Sequence, residues 1–410
     1  MTGRNDWSSA LPEGSYSIFY PSIGLTGIIS DMVELPSWIN YGKARISIAN
    51  SGYGGNAYLG REYYSVAAGG LIVTPTIQSF GTYKPEMTSS LEAGLTWNFL
   101  ANRLGIDLTY YRTQTKNQLL LIGAPPASTY NQRYINAGLI QNSGLEAMLN
   151  FTPVKAGKFT WDGYVNYARN DNKVVRITDE MSSVIIQDDD IVTTKVEAGK
   201  SFGTLYVKGW QRDEEGRKLV DDMGRPLLTP GKTVYAGNYN PDYQLGFSST
   251  FRLGDFSFGF LINHAHGGTI LGGTQALIDA DGHSARSLEG RESGIVLDAY
   301  QAGGGKNDQV ITSQEYFSSI GDRKPAAEEY AYSATNTRLR EVSFGYVIPK
   351  RVFGEANYIS NIRISLIGRN LFFFKKSTPF DPDIAQGRGG IEATALPFAR
   401  TMGVNVKVTF

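Results

Sequence analysis

Cysteine is absent from the 410 residues, and histidine occurs three times. Disulfide staples and thiolate chemistry are thereby excluded, while either the cytosol or a cell envelope remains open. No run of about 18 apolar residues exists, so no segment can cross a bilayer as a helix. Net charge is also lacking, since 39 basic residues balance 39 acidic ones. No global field therefore marks the chain for nucleic acid. The opening Met1-Thr2-Gly3-Arg4-Asn5-Asp6-Trp7 has no basic n-region, apolar h-region or small-residue cleavage site, so it is not a secretory leader.

What is plentiful is glycine (47), tyrosine (24) and phenylalanine (20), a composition suited to an all-β protein with many tight turns. Period-two alternation recurs from end to end. Met402, Val404, Val406, Val408 and Phe410 alternate with Thr401, Gly403, Asn405, Lys407 and Thr409. Leu91, Ala93, Leu95, Trp97 and Phe99 oppose Glu92, Gly94, Thr96 and Asn98, and Leu104, Ile106, Leu108 and Tyr110 oppose Gly105, Asp107, Thr109 and Tyr111. Similar stripes run through Leu145–Phe151, Phe159–Tyr167, Tyr243–Phe251, Phe256–Ile262 and Ile362–Leu366. Side chains alternate across a strand, so each of these has one apolar face and one polar or small face. The count is roughly 13–14 strands, with no clear period in 60–85 and 175–215.

The connections add direction. Short turns are predicted at Leu100–Asn102, Pro153–Gly157, Arg252–Asp255 and Pro349–Glu355, and long polar or glycine-rich segments at 123–136, 213–240, 267–335 and 374–396. Short turns alternating with long loops are the topology of a bacterial outer-membrane barrel. A soluble β-sandwich or propeller also alternates, but three features speak against it. Aromatics sit at the ends of the apolar stripes (Trp97, Phe99, Tyr110, Tyr167, Phe251), loop lengths are two-sided, and Phe410 closes an alternating strand. The fold class is therefore all-β, an antiparallel transmembrane β-barrel of outer-membrane type. Such a protein needs an export signal, so the expectation is that Met1 is internal to a longer protein.

No catalytic constellation emerges. His264 and His266 share a strand face, with His283 in the next loop; polar residues at an extracellular rim outweigh a metal site. Gly267-Gly268 and Gly272-Gly273 lack a phosphate-loop setting and read as flexible loop. Asp188-Asp189-Asp190 and Asp381-Pro382-Asp383 lack calcium-loop spacing, which favours solvated loop charge. No serine nucleophile elbow or zinc-protease helix is present.

A series of phrases then resembles the SusC/RagA family of TonB-dependent outer-membrane transporters. It begins with Thr2-Gly3-Arg4-Asn5-Asp6-Trp7, Phe19-Tyr20-Pro21-Ser22 and Leu35-Pro36-Ser37-Trp38. Asn142-Ser143-Gly144-Leu145-Glu146, Gly237-Asn238-Tyr239-Asn240-Pro241, Arg338-Leu339-Arg340-Glu341 and Gly368-Arg369-Asn370-Leu371-Phe372 follow in order. The resemblance implies that 1–410 is the C-terminal portion of a barrel of about 22 strands, with signal peptide, N-terminal domain and plug absent. It implies a nutrient importer rather than an enzyme, taking up oligosaccharides or peptides with a SusD-like surface lipoprotein and TonB, and needing no cofactor. In that barrel Glu92, Asp107, Glu146, Arg363, Arg369 and Lys407 would line the lumen, and Phe410 would be the C-terminal assembly signal. A passive porin, an adhesin barrel or a soluble carbohydrate-binding module are the alternatives.

Overall fold

The computed structural model describes residues 1–410 except 58, 60, 126, 353–357 and 386–388. Twelve strands follow one another in a single antiparallel meander: β1 Thr2–Trp7, β2 Ser17–Ile28, β3 Ile39–Tyr53, β4 Glu86–Phe99, β5 Leu104–Gly123, β6 Gln132–Ala156, β7 Phe159–Arg176, β8 Tyr243–Leu253, β9 Phe256–His266, β10 Asn336–Pro349, β11 Asn361–Lys376 and β12 Thr401–Thr409. The short strand Ile77–Gln78 joins β6 in parallel and brings the sheet to 13 strands. Among the described residues, β1 pairs only with β2 and β12 only with β11.

Register turns the separate stripes into one surface. Leu25 lies opposite Ile46, Ile46 opposite Ala93, Leu95 opposite Leu108, and Leu108 opposite Ala147. Leu149 faces Val165, Val165 faces Phe247, and Phe251 faces Phe258. Phe258 meets Phe344, which meets Leu366, which meets Val404. Among the described residues nothing covers this belt, and Leu25 is 73% and Val404 65% exposed. A contiguous apolar surface of this size is stable only against lipid or another apolar body.

Aromatics edge the belt at the end with short connections. Trp97 and Phe99 stack at 6.3 Å and Trp161 and Phe251 at 5.6 Å, while Phe256 and Tyr346 meet at a tilt, 4.8 Å between ring centres. Glycine makes room for two of them. A Cβ on Gly42 would come within 2.8 Å of the Trp97 ring, and one on Gly163 would collide with Phe151.

The connections are two-sided. At one end lie 29–38, with the short helix α1 Ile29–Met32, then 100–103, 157–158, 254–255 and 350–360. At the other lie 8–16, 54–85, 124–131, 177–242, 267–335 and 377–400. Several predicted boundaries move, and the loops predicted at 213–240 and 374–396 span 177–242 and 377–400. β6 and β8 run on to Ala156 and Leu253, leaving tight turns whose first residues, Gly157 and Gly254, have φ of 55° and 57°. The predicted loop 123–136 shrinks to 124–131, because β5 and β6 stay paired as far as Gly123 and Gln132. Part of the predicted turn 349–355, residue 126 of the loop 123–136 and residues 386–388 of the loop 374–396 lie outside the described residues.

The buried core sits in the long loops and in the strand ends they pack on, where Leu120, Ile122, Ala137 and Val174 join Val184 and Val196. Segments 183–188, 192–197, 204–207 and 234–238 form a four-stranded sheet within 177–242. Within 267–335, α2 (Gly273–Ala280) packs against α3 (Ser313–Ile320). α3 starts where Thr312 Oγ1 accepts from the Glu315 N–H at 3.1 Å and the Glu315 carboxylate accepts from the Thr312 N–H at 2.9 Å, a reciprocal capping box. Leu205, Val207, Leu271, Ala327 and Ile391 form one cluster, so 177–242, 267–335 and 377–400 are fused into a single cap.

Candidate functional site

The polar face of the wall is organised around one arginine. Arg45 on β3 reaches across β4 to Asp107 on β5, with Nη2 2.9 Å from Oδ1. Its Nη1 donates to Thr96 Oγ1 at 3.0 Å and its Nη2 to Thr109 Oγ1 at 2.6 Å. Thr96 Oγ1 donates in turn to Asp107 at 2.6 Å. This crossing needs Gly94 beneath it, where a Cβ would lie 2.5 Å from Arg45 Nε.

Glu92, Asp107, Glu146, Arg363, Arg369 and Lys407 all fall on this polar face by alternation and register, but in two separate groups. Glu92, Asp107 and Glu146 belong to β4–β6. Arg363, Arg369 and Lys407 belong to β11–β12, where Arg363 stands directly opposite Lys407 and Arg369 Nε reaches Glu341 at 2.8 Å. Phe410 follows the last paired residue and is 82% exposed.

Towards the cap the polar face loses its charge. Tyr111 lies across Gly144, where a Cβ would be 2.5 Å from the phenol oxygen, and its hydroxyl donates to Asn170 Oδ1 at 3.2 Å. Asn142 Oδ1 accepts from the amides of Asn170 and Asn172 at 3.1 and 2.8 Å, and the Phe202 N–H donates to Asn172 Oδ1 at 2.7 Å. A cavity of about 260 Å³ lies here, lined by Thr115, Gln118, Asn142, Asn170, Asn172 and Asn240. A second, of about 390 Å³, adjoins it through Tyr239 and Asn240 and is lined also by Gln244, Ala265, Ile270 and Gly390. Burial pushes the Tyr239 hydroxyl up from its ordinary value, keeping it a neutral donor. Charges crowd the wall below, yet these two cavities carry only amides, hydroxyls and apolar atoms. Such a lining recognises neutral hydrogen-bonding solutes.

The cap above is clamped by buried ions. Arg338, 2% exposed, donates through Nη1 to Asp381 at 3.1 Å and to Asp383 at 3.0 Å, and Arg340 Nη2 meets Asp383 at 2.5 Å. The Arg338 guanidinium also lies 4.6 Å from the Phe373 ring centre. Asp381-Pro382-Asp383 is thus a buried clasp for segment 377–400, not the solvated charge the spacing suggested. Thr274 Oγ1 holds Glu392 of the same segment at 2.6 Å. Asp188 pairs with Lys232 at 2.7 Å, Asp190 with Lys324 at 3.3 Å, and Asp189 accepts from the N–H groups of Ile191 and Val192 at 2.9 Å each.

Further in, burial opposes ionisation of Glu329, but hydrogen bonds and charge from Lys218 and the Trp210 N–H outweigh it, and the carboxyl stays below its usual range. Burial, reinforced by Glu329, pushes Tyr316 up to about 12. Gly272 and Gly273, predicted as flexible loop, are buried at the start of α2. A Cβ there would lie 2.8 Å from Phe380 and 2.9 Å from the Glu392 carbonyl oxygen. His264 and His266 end β9 beside Tyr243, whose ring lies 5.0 Å from His266. Among the described residues no three His, Cys, Asp or Glu side chains converge as a metal set.

Residues 1–268 match the family of TonB dependent receptor-like β-barrels. The chain belongs to that family. It is 24% identical to a TonB-dependent receptor of Formosa agariphila, over 100% of this chain and 44% of the relative. It is 23% identical to the TonB-dependent receptor SusC of Bacteroides thetaiotaomicron, over 80% of this chain and 32% of that protein. The fold matches a structure of the RagAB peptide transporter with a TM-score of 0.78 at 18% identity, covering 100% of this chain and 45% of that one. The SusC/RagA resemblance and the transmembrane β-barrel fold therefore hold, and the family sits in the outer membrane of Gram-negative bacteria. The chain spans about 44% of the length of the Formosa relative.

Charge alone drew attention to the six wall residues, so the amide rows passed unnoticed. One part of the signal was local: Asn170 and Asn172 stand two apart on one strand face.

Proposed function

We propose that this chain forms the channel wall and extracellular cap of a TonB-dependent nutrient importer, working with a SusD-like surface lipoprotein and with TonB through parts of the protein outside 1–410. The observation that carries the reading is the pair of uncharged, amide-lined cavities between a charged wall and a clamped cap. A neutral oligosaccharide or a peptide backbone would be received there after capture outside. Glu92, Asp107, Glu146, Arg363, Arg369 and Lys407 then face the lumen, where they would contact a plug or a passing solute. Phe410 serves as the terminal signal for barrel assembly. Only binding and conformational gating are required, so no covalent step is invoked.

Uptake of labelled oligosaccharides and peptides, in cells with the full-length gene intact, deleted, or intact with TonB deleted, tests this. Uptake of one class should be lost in both deletions. Uptake that persists without TonB, with diffusive flux in liposomes bearing the protein, would identify a passive porin instead.

A further inference from the structure

Above the apolar belt the lipid-facing side changes character on three adjoining strands. Tyr110 ends the belt on β5 and Tyr167 on β7. The next outward positions are Arg112, Gln114 and Lys116 on β5, Ser143 and Gln141 on β6, and Arg169, Asp171 and Lys173 on β7. Register sets Arg112 beside Ser143 and Ser143 beside Asp171, and sets Gln114 beside Gln141 and Gln141 beside Lys173. All four cations are exposed. With strands about 4.8 Å apart and same-face residues about 7 Å apart, they occupy a patch of roughly 10 by 20 Å.

The patch is held open rather than neutralised. Asp171 meets Arg169 at 3.1 Å, and Asp242 also acts on Arg169 from the top of β8. Arg112, Lys116 and Lys173 pair with no carboxylate among the described residues. Instead Arg112 donates through Nε and Nη2 to the Gln141 side-chain oxygen at 3.0 and 2.7 Å, and Gln114 donates to the same oxygen at 3.0 Å. On the opposite face Arg45 is answered by Asp107 and Arg252 by Asp162. An amide acceptor orients a guanidinium while leaving its charge to attract something else.

We propose that Arg112, Lys116, Arg169 and Lys173 form a docking site for the phosphate-bearing headgroup of a glycolipid in the outer leaflet, its acyl chains lying on the belt around Leu108 and Leu145. The position decides the occupant. The patch faces lipid at the water boundary, directly above exposed apolar side chains, so it fits an anion carried on apolar tails. A solute in transit would meet the other face. The site depends on membrane placement alone and stands apart from the import reading.

The test is native mass spectrometry of the full-length protein in detergent, with lipid A, its dephosphorylated form, or inorganic phosphate added. Lipid A adducts should persist on the parent protein and fall at least about tenfold when all four cations become Gln. Lys155→Gln with Lys158→Gln, at the opposite boundary, should retain them. Gln141→Glu keeps every cation but sets a carboxylate against Arg112, and should lower retention several-fold if the fourfold variant does not fold. Undiminished adducts in both the fourfold and the Gln141→Glu proteins, equal retention of the dephosphorylated lipid, or displacement by millimolar phosphate would each overturn the proposal.

Discussion

The wall and the cap are built on opposite principles. In the wall, the large apolar side chains of the belt point outward and many stay exposed, and cohesion comes from long ladders such as β5 with β6, paired from Leu104 to Gly123. In the cap, side chains such as Leu205, Val207 and Leu271 are fully buried, and charges that would float freely on a soluble surface are paired away from solvent. The wall relies on lipid to complete it, whereas the cap is a small water-soluble core assembled from three loops. The lesson is that polarity must be judged by which body lies opposite. Leu108 at 38% exposure is correctly placed, and so is Arg338 at 2%.

Breaking the cap's clasp should have the largest effect. Arg338→Ala leaves Asp381 buried without its ion partner and Asp383 with Arg340 alone, and we expect a loss of about 3–5 kcal/mol in cap stability. Limited proteolysis should then cut within 377–400 while the wall stays resistant. Next comes a charge placed in the belt. Leu108→Arg should destabilise the barrel by about 2–4 kcal/mol near mid-membrane, whereas Thr113→Arg, on the polar face, should change thermal unfolding by less than about 1 kcal/mol.

Acid should loosen the cap more gently. The Glu329 carboxyl lies below its ordinary range when folded, as does Glu197, which Tyr206, Lys200 and Thr204 hold there against burial. Groups with depressed folded values stabilise above the unfolded value and lose that contribution as pH falls through the folded one. Cap protection in hydrogen exchange should therefore decline below about pH 4. The smallest expected effect is at Lys407→Gln. Removing one of two like charges facing each other across β11 and β12 should raise stability by a few tenths of a kcal/mol, roughly the scale of a cross-strand pair, read as a shift in thermal midpoint.

The wall was legible in the sequence because its rule is local. Alternation in Leu104–Tyr111 or Thr401–Thr409 needs no knowledge of partners, and pairing only extends it. The cap was not legible, since its contacts join distant residues with no period. Arg338 finds Asp381 from 43 positions away, and Glu392 finds Thr274 from 118. A motif such as Asp-Pro-Asp carries no mark of the arginine that will bury it. Gly272-Gly273 likewise looks like slack until Phe380 and the Glu392 carbonyl close on it. Of the site, the six charged wall residues could be read from alternation. The amide rows required knowing which strands adjoin and that loops would roof them.

The absence of cysteine from these 410 residues permits a direct measurement, with any cysteine elsewhere in the full-length protein replaced. Single cysteines at positions 104 to 113, introduced into the full-length protein in intact outer membranes, can be probed with a water-soluble maleimide and with a lipid-borne quencher on a fluorescent label. We expect strict alternation: Leu104, Ile106, Leu108 and Tyr110 positions shielded from the maleimide and quenched by lipid, Asp107, Thr109, Tyr111 and Thr113 positions reactive and unquenched. Uniform reactivity along β5, or quenching on both faces, would contradict a wall that separates lipid from a hydrated lumen.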